Sequence, residues 1–229
     1  MTDPVHPPGA RVAAPDPASM RRSYGATGLA DGDLGPDPLV AFSRWFADAA
    51  AAGVVEPNAM VLATVGADGA PSARTVLLKG YDGAGLRFFT NLGSAKARDL
   101  AVEPRAALVF PWHVMSRQVR VTGSAQPLRR EEVAAYFTGR PRESQLGAWA
   151  SEQSTVVASR AVLDAALAAA EARFPAGEEV AVPEHWGGFR VVPDTWEFWA
   201  GRVGRLHDRL RYRRTDSGAA SWAVERLAP

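Results

Sequence analysis

The chain has 229 residues, carries a formal net charge of +1 and contains no cysteine. Its length suits one domain that can bury a substantial core. The balanced charge provides no overall field for nucleic acid or an anionic membrane surface. The absence of cysteine excludes disulfides, thiolate metal sites and cysteine nucleophiles, and the four scattered histidines lack the spacing of metal ligands. We therefore expect no metal, no nucleic acid and no membrane partner, so any anion site must come from a local cluster.

The first 19 residues are rich in proline, alanine and glycine. Such a composition predicts a mobile tail, followed by a single domain over residues 20–229. The N-terminal sequence lacks a basic segment followed by an apolar one, and no apolar run reaches the length of a membrane span. The sequence therefore predicts a cytoplasmic protein.

A helix is predicted over residues 37–52, with Asp37 as its N-cap and Gly53 as its terminator, because large apolar residues recur there at helical spacing. The period then changes to two, which predicts strands in AMVLATVG, PSARTVLLKGY, LRFFTN, RAALVFPW and RQVRVTGSAQ. Adjacent antiparallel strands with short connections and one inserted helix predict a mainly β fold with flanking helices. This is an α+β class built on a small β-barrel.

The segment from Arg74 to Lys96 gathers groups that suit a phosphate. It combines two strands with a short helix whose predicted N-cap is Ser94. A phosphate dianion is held by cationic donors and by free N–H groups at a helix N-terminus. The candidate donors in this segment are Arg74, Thr75, Lys79, Thr90, Ser94 and Lys96. The same pattern also fits an ordinary hairpin with solvated charges.

Residues 128–149 are predicted to form two helices that meet at Pro141. Tyr136, Arg140 and Ser144 form a line along them that could grip a second phosphate. The alternative is a surface aromatic ring over an arginine stem. An alanine-rich helix is predicted over residues 154–174, and strands in FRVVP, TWEFWAG, RLHDRLRYRRT and SWAVERLAP close the chain.

Strand alternation in LHDRLRY places Arg205, His207 and Arg209 on one face. The opposite face then carries Leu206, Asp208 and Leu210. Three cationic or titratable groups on one face repel one another unless an anion or an electron-rich ring lies between them. The pattern therefore favours a binding function for this face.

The ordered blocks of the chain resemble one known family, the pyridoxamine 5'-phosphate oxidases. The blocks are RRSY, ATVGADGAPSARTVLLKGYD, FFTNLGSAKA, FPWHVMSRQVRVTG, YFTGRPRESQLGAW, SEQS, HWGGFRV, EFWAG and RLHDR, within residues 20–229. The resemblance implies a split β-barrel that binds FMN, and a homodimer with two FMN sites across the subunit interface.

The resemblance also implies roles for individual residues. FMN contacts are implied for Arg74, Thr75, Val76, Leu77, Leu78, Lys79, Phe89, Thr90, Lys96, Gln118, Gln153, Ser154, Trp199 and Arg209. Substrate contacts are implied for Arg21, Arg22, Ser23, Tyr24, Lys79, Tyr136, Arg140, Ser144, Arg205 and His207. Arg205 and His207 are the implied catalytic residues, and no metal is implied. The family commonly has arginine where this chain has Ala95, and Arg98 on the adjacent helical face is a candidate substitute.

The implied reaction is oxidation of pyridoxamine 5'-phosphate or pyridoxine 5'-phosphate to pyridoxal 5'-phosphate, with reduction of O2 to H2O2. Two alternatives stay open. One is a related flavin oxidase of another ring substrate, of the phenazine-biosynthesis type. The other is a non-catalytic flavin- or haem-binding barrel, against which the Arg205–Arg209 face argues.

Overall fold

A curled antiparallel sheet with helices packed around it forms the framework of the computed structural model, which describes residues 16–20, 24, 28–215 and 221–229. Its α-helices are α1 (Pro38–Ala51), α2 (Ala95–Val102), α3 (Arg130–Thr138), α4 (Arg142–Ala150) and α5 (Arg160–Arg173). Its strands are β1 (Ala59–Val65), β2 (Pro71–Leu77), β3 (Gly80–Asp82), β4 (Gly85–Asn91), β5 (Arg105–Trp112), β6 (Arg117–Pro127), β7 (Trp186–Ala200), β8 (Asp208–Arg214) and β9 (Trp222–Arg226). Most of the predicted tail, and the predicted Arg21, Arg22 and Ser23, lie outside the described residues.

The sheet branches at its longest strand, β7. The main order is β2-β1-β5-β6-β7-β4-β3, and every neighbouring pair is antiparallel. Residues 186–191 of β7 pair with β4, whereas residues 195–200 pair with β8, which in turn pairs with β9. The resulting half-barrel, with helices around it, confirms the predicted α+β class and split β-barrel.

Helix α1 begins and ends within one residue of its predicted bounds. Asp37 accepts a hydrogen bond from the backbone N–H of Leu39 at 2.8 Å, as an N-cap does, and Gly53 has a φ of +72° just beyond the helix. The apolar stripe buries Phe42 and Trp45 completely or nearly so against aromatic residues of β5 and β7. This packing holds α1 over the core of the sheet.

The predicted strand PSARTVLLKGY is interrupted after Leu77. Leu78 donates its backbone N–H to Asn58 next to β1, but Lys79 donates to Arg87 of β4. The chain therefore changes partner strands between these two residues, and β3 begins only at Gly80. This crossing brings Lys79 to the gap between the two ends of the curled sheet.

The helix predicted over residues 154–174 begins only at Arg160. Ser154 has a φ of +76°, a left-handed conformation that an α-helix cannot include. Conversely, the two strands predicted around Pro193 are one strand, β7. The register between β6 and β7 shifts here, with Thr122 opposite Thr195 and Gly123 opposite Pro193, so Asp194 is the extra residue of a bulge in β7 beside the proline. Gly123 allows the close approach, since a Cβ there would collide with the backbone of Val192.

Across the described residues, no helix is both long enough and apolar enough to cross a membrane. The same part of the chain contains no group of three or more histidine, aspartate or glutamate residues that could hold a metal ion.

Candidate functional site

A cavity of about 880 Å³ opens between the edge of β2, the start of α2 and the α3–α4 junction. Thirteen of the predicted site residues line it: Arg74, Thr75, Val76, Leu77, Lys79, Phe89, Thr90, Lys96, Tyr136, Arg140, Ser144, Gln153 and Ser154. Leu78 does not, because its side chain is 4 % exposed and lies in the core. The structure thus brings together, in one chain, segments that are up to 80 residues apart in sequence.

Lys96 is a buried cation with neutral partners. Its side chain is 8 % exposed, and Nζ donates to Thr90 Oγ1 and Gln153 Oε1, each at 3.2 Å. Burial lowers the pKa of Lys96, the nearby Arg74 lowers it further, and Asp99 opposes the shift. Lys79 and Lys96 are the only lysines in the chain, and both line this cavity. A buried ammonium without a hydrogen-bonded carboxylate is suited to an anionic ligand.

The start of α2 differs from its prediction in one respect. Ser94 occupies the N-cap position, but its side chain makes no capping hydrogen bond and instead lies 3.4 Å from Thr90 Oγ1. The backbone N–H of Ala95 donates to Ser154 Oγ at 3.1 Å. The left-handed backbone of Ser154 therefore places its hydroxyl at the N-terminus of α2, beside Lys96.

Arg74 is held at the cavity by residues that sequence reasoning did not identify. Its Nη1 donates to Thr64 Oγ1 at 2.6 Å, and Thr64 in turn donates to Asp99 Oδ2 at 2.6 Å. Thr64 is 1 % exposed, and neither it nor Asp99 lines the cavity. Because a hydroxyl has one proton, this geometry fixes the direction of both bonds and the orientation of the guanidinium.

If the cavity holds the FMN that the resemblance implies, replacing Thr64 by valine is expected to weaken FMN binding about tenfold. Nη1 of Arg74 loses its shorter hydrogen bond and keeps only a 3.4 Å contact with the backbone oxygen of Leu62, so the guanidinium loses its orientation. Riboflavin lacks the phosphate, so its affinity should change less than about twofold. Titration of the apoprotein with each flavin measures both. Thr64→Ser should retain wild-type affinity, and Thr122→Val, which removes a 2.6 Å hydroxyl pair with Thr195, is the matched control. An equal loss of affinity for FMN and riboflavin would contradict the proposed orientation of Arg74 by Thr64 and Asp99.

Phe89 of β4 and Tyr136 of α3 form the aromatic wall of the cavity. Their rings stack with centroids 3.8 Å apart and planes 8° apart. This stack fixes the direction of the Tyr136 ring and hence of its hydroxyl. Arg140 lies beyond the end of α3, so the two residues do not share a helical face as predicted, yet both line the cavity.

Ala95 lines the cavity, whereas Arg98 does not. Arg98 is exposed and donates to the backbone oxygen of Gly93, so its guanidinium is engaged outside the cavity. The side chain at position 95 therefore leaves room for an additional donor beside Lys96 and Ser154.

Replacing Ala95 by arginine is expected to tighten FMN binding about tenfold, because it adds a charge-assisted donor at the cavity wall. Apoprotein titration measures the change. Ala95→Met, which adds comparable bulk without charge, is the control. An Ala95→Arg protein with unchanged affinity would show that the anion does not reach the start of α2.

The other predicted site residues form a separate group, termed here the ring cluster: Tyr24, Gln118, Trp199, Arg205, His207 and Arg209. Trp199 and His207 have ring centroids 4.7 Å apart, and Tyr24 meets the two rings edge-on at 5.8 and 5.4 Å. Gln118 and Arg209 flank Trp199 in the sheet register. Gly201 permits this packing, because a Cβ there would come within 2.8 Å of the Tyr24 ring.

The predicted strand face through Arg205, His207 and Arg209 is wrong. Strand β8 begins at Asp208, and Arg205 lies in a 3-10 turn with a φ of +64°. Leu206, predicted to face the core, is 73 % exposed. Glycine 204, also left-handed, prevents the extended backbone that alternation requires.

Within the ring cluster, His207 and Arg209 have protein partners. The backbone N–H of Arg202 donates to His207 Nδ1 at 3.1 Å, so the neutral ring carries its proton on Nε2. Arg209 donates to Glu197 at 2.9 Å, and this hydrogen bond raises the pKa of Arg209. Glu197 therefore balances the charge of Arg209, and because the three groups do not share a strand face, the mutual repulsion expected from that face does not arise.

The ring cluster does not line the cavity. Trp186 at the start of β7 lines it, whereas Trp199 lies near the end of the same strand. These residues are 13 positions apart, roughly 40 Å of extended strand. Within one chain, the cavity and the ring cluster therefore lie toward different ends of β7 and do not line one common pocket.

Comparisons with known proteins agree with this architecture. The sequence model of the family described as "Pyridoxamine 5'-phosphate oxidase" matches residues 46–174. A second, described as "Pyridoxine 5'-phosphate oxidase C-terminal dimerisation region", matches residues 186–229. The first covers the described cavity apart from Trp186, and the second covers most of the ring cluster.

Similar proteins extend over nearly the whole chain. A pyridoxine/pyridoxamine 5'-phosphate oxidase of Streptomyces avermitilis is 56% identical over 231 residues, covering 99% of this chain and 98% of the relative. One from Nocardioides sp. is 56% identical over 214 residues, covering 93% and 98%. The crystal structure of PhzG from Burkholderia lata 383 in complex with tetrahydrophenazine-1-carboxylic acid superposes with a TM-score of 0.82 at 32% identity, covering 91% of this chain and 100% of that one.

Proposed function

This chain belongs to the pyridoxamine 5'-phosphate oxidase family, and we propose that it is an FMN-dependent oxidase. It oxidises pyridoxamine 5'-phosphate and pyridoxine 5'-phosphate to pyridoxal 5'-phosphate while O2 is reduced to H2O2. With the amine substrate, one water is consumed and ammonia is released. The observation that carries the proposal is a cavity with cationic side chains on separate elements, Lys96 in the first turn of α2 and Arg140 at the α3–α4 junction. Two phosphate-bearing molecules, a cofactor and a substrate, need two such positions.

The residues present fit FMN. The cavity volume of about 880 Å³ lies within the range of cofactor sites. Lys96 is buried beside Thr90, Gln153 and Ser154, which offer neutral hydrogen-bonding groups at the N-terminus of α2. We assign the FMN phosphate to this end. When bound, FMN supplies the two-electron acceptor chemistry that no side chain of the chain possesses.

The remaining residues bind and orient the substrate. Tyr136, Arg140 and Ser144 hold its phosphate, with Lys79 at the junction between the two phosphates. Arg205 and His207 bind the substrate and orient its reacting carbon. His207 meets the substrate through Nε2, because its Nδ1 accepts from Arg202.

We further propose a homodimer in which the ring cluster of one subunit completes the cavity of the other. The separation of the two groups along β7 supports this arrangement. Gln118 then hydrogen-bonds the polar edge of the flavin ring, since an amide both donates and accepts. Two equivalent sites follow from the two-fold symmetry of such a dimer. The cytoplasmic location stays a prediction of the sequence.

Anaerobic mixing with pyridoxamine 5'-phosphate tests the proposed reaction. The oxidised flavin absorbance is expected to bleach on mixing and to return when O2 is admitted, with H2O2 released in equal amount. An oxidised spectrum that does not change would exclude the reaction. A purified protein that cannot be reconstituted with FMN would exclude the cofactor.

The similarity to PhzG favours a second candidate, a flavin oxidase of a different ring substrate. Such a substrate, if it lacks a phosphate, leaves Arg140 and its neighbours without a role. Aerobic peroxide release with a phosphorylated vitamin B6 compound and with a reduced phenazine carboxylate distinguishes the two. If peroxide is released only with the phenazine compound, the second candidate function replaces the first.

A further inference from the structure

Arg140 is a cavity cation without a counter-ion. Among the described residues its guanidinium has no ion pair and no hydrogen bond, and Nη1 is buried without a partner. Other arginines nearby are paired, as Arg190 is with Glu132 at 2.6 Å. Burial lowers the pKa of Arg140, and Tyr136 acts weakly in the opposite direction. Arg140 as a whole is half-buried, but a buried guanidinium nitrogen without a hydrogen-bond partner is costly, so another contact must offset that cost.

The stabilising group is the indole of Trp186, a residue for which sequence reasoning predicted no role. The Arg140 guanidinium carbon lies 4.2 Å from the Trp186 ring centroid, and 5.6 Å from that of Phe137. Trp186 lines the main cavity and also an adjoining chamber of about 290 Å³ that Arg140 and Ser144 share. Its Nε1 is buried and has no partner either.

We propose that Trp186 is a positioning residue that holds Arg140 for the phosphate of the substrate, and that it thereby determines selectivity for phosphorylated ligands. This inference rests on the proposed function. An aromatic face stabilises a cation without neutralising it. A carboxylate at the same place would compete with the phosphate for the guanidinium N–H groups. Trp186 therefore keeps Arg140 both folded against the cavity wall and free to bind.

A purely structural role for Trp186 is the competing explanation, since its ring also contacts Phe137 at 6.1 Å in a small apolar cluster. The chain contains a matched pair that separates the two roles. Arg173 lies 4.2 Å from the ring of Trp149, in the same apolar cluster but away from the cavity. Removing Trp149 also disturbs this cluster, and among the described residues no hydrogen bond or cation–ring contact joins Trp149 to Arg140.

The test compares pyridoxal 5'-phosphate with pyridoxal in binding to the FMN-loaded protein, measured by equilibrium dialysis. Trp186→Leu is expected to weaken pyridoxal 5'-phosphate binding about tenfold and to change pyridoxal binding less than about twofold. Trp186→Phe, which keeps an aromatic face, should stay within about threefold of wild type for both. Trp149→Leu should leave the ratio of the two affinities unchanged. In turnover, Trp186→Leu should raise KM for the phosphorylated substrate more than it lowers kcat.

Equal weakening of both ligands by Trp186→Leu would overturn the inference, as would an equal change of the ratio in Trp149→Leu. If Trp186→Phe weakens pyridoxal 5'-phosphate binding as much as Trp186→Leu does, the role belongs to the Nε1 donor. That result would overturn the inference that the aromatic face holds Arg140. Failure of the proposed function gives a different result from failure of this inference. If the proposed function is wrong, the wild-type protein does not oxidise pyridoxamine 5'-phosphate, while the dialysis experiment still tests the role of Trp186.

Discussion

An equal mixture of Arg140→Met and Arg205→Met subunits, refolded together, is expected to recover about a quarter of wild-type activity, although each variant alone retains about a tenth or less. Each variant should lose about 10- to 100-fold in kcat/KM, because a charged hydrogen bond to the substrate is removed. Arg140 lines the cavity and Arg205 belongs to the ring cluster. In a mixed dimer one of the two sites receives both native groups, and random mixing makes about half of the dimers mixed.

The measurement is activity at limiting substrate after joint unfolding and refolding of equal amounts of the two variants. The control is a mixture of two variants from the same group, Arg140→Met with Ser144→Ala, which should show no recovery, because both changes fall in the same half of the site. Absence of recovery in the Arg140–Arg205 mixture, with mixed dimers demonstrated by a size-tagged subunit, would mean that each chain completes its own site.

Replacing Lys96 by methionine is expected to lower the affinity for FMN and to raise the stability of the apoprotein. FMN binding should weaken about 10- to 100-fold, because the buried ammonium at the phosphate end is lost. The apoprotein should melt about 2–4 °C higher, because a buried charge with neutral partners is replaced by an apolar side chain of similar length. Apoprotein titration and thermal melting measure the two effects.

The stability gain should depend on pH. The pKa of Lys96 lies below its ordinary value of 10.5 in the folded protein, so the folded state binds fewer protons there than the unfolded state at high pH. Wild-type stability therefore rises with pH between the two pKa values, whereas the cost of burial is fully present at lower pH. The advantage of Lys96→Met should be largest at neutral pH and should shrink as pH approaches 10.5.

Lys79→Met is the matched control, because Lys79 lines the same cavity but is exposed. Because the Lys79 side chain is exposed, Lys79→Met should not reproduce the gain in apoprotein melting temperature expected of Lys96→Met. Since the chain has only these two lysines, selective ¹⁵N-lysine labelling gives one side-chain signal for each, and the titration of Lys96 can be followed directly. A Lys96 signal that titrates at or above the ordinary pKa of 10.5 would contradict the lowered pKa.

Features that depend on neighbours in sequence were predicted well. Asp37 and Gly53 bound α1 as capping chemistry requires, and most strands follow their alternation of buried and exposed residues. The motifs around Lys96 and Arg140 indicated phosphate-binding groups, and both residues line the cavity. These signals are local, because a cap or a strand face is decided within a few residues.

Features that depend on distant partners were missed or wrong. No role was predicted for Trp186 from the sequence, and only its position 4.2 Å from Arg140 shows its relation to the cavity. Thr64 and Asp99 are 35 residues apart and carry no motif, yet they orient Arg74. Left-handed residues at Ser154 and Arg205 ended a predicted helix and a predicted strand, because tertiary contacts outweighed local propensity there.

By itself, the sequence determined the fold class, the caps and strand faces, and the identity of the charged and aromatic groups, since these follow from residue type and spacing. Only the tertiary structure decided which of those groups meet. It gathered Lys79, Lys96 and Arg140 around one cavity and left His207 and Trp199 at the far end of β7. The physical reason is that β7 pairs with β4 at one end and with β8 at the other, so it separates the two groups by its own length.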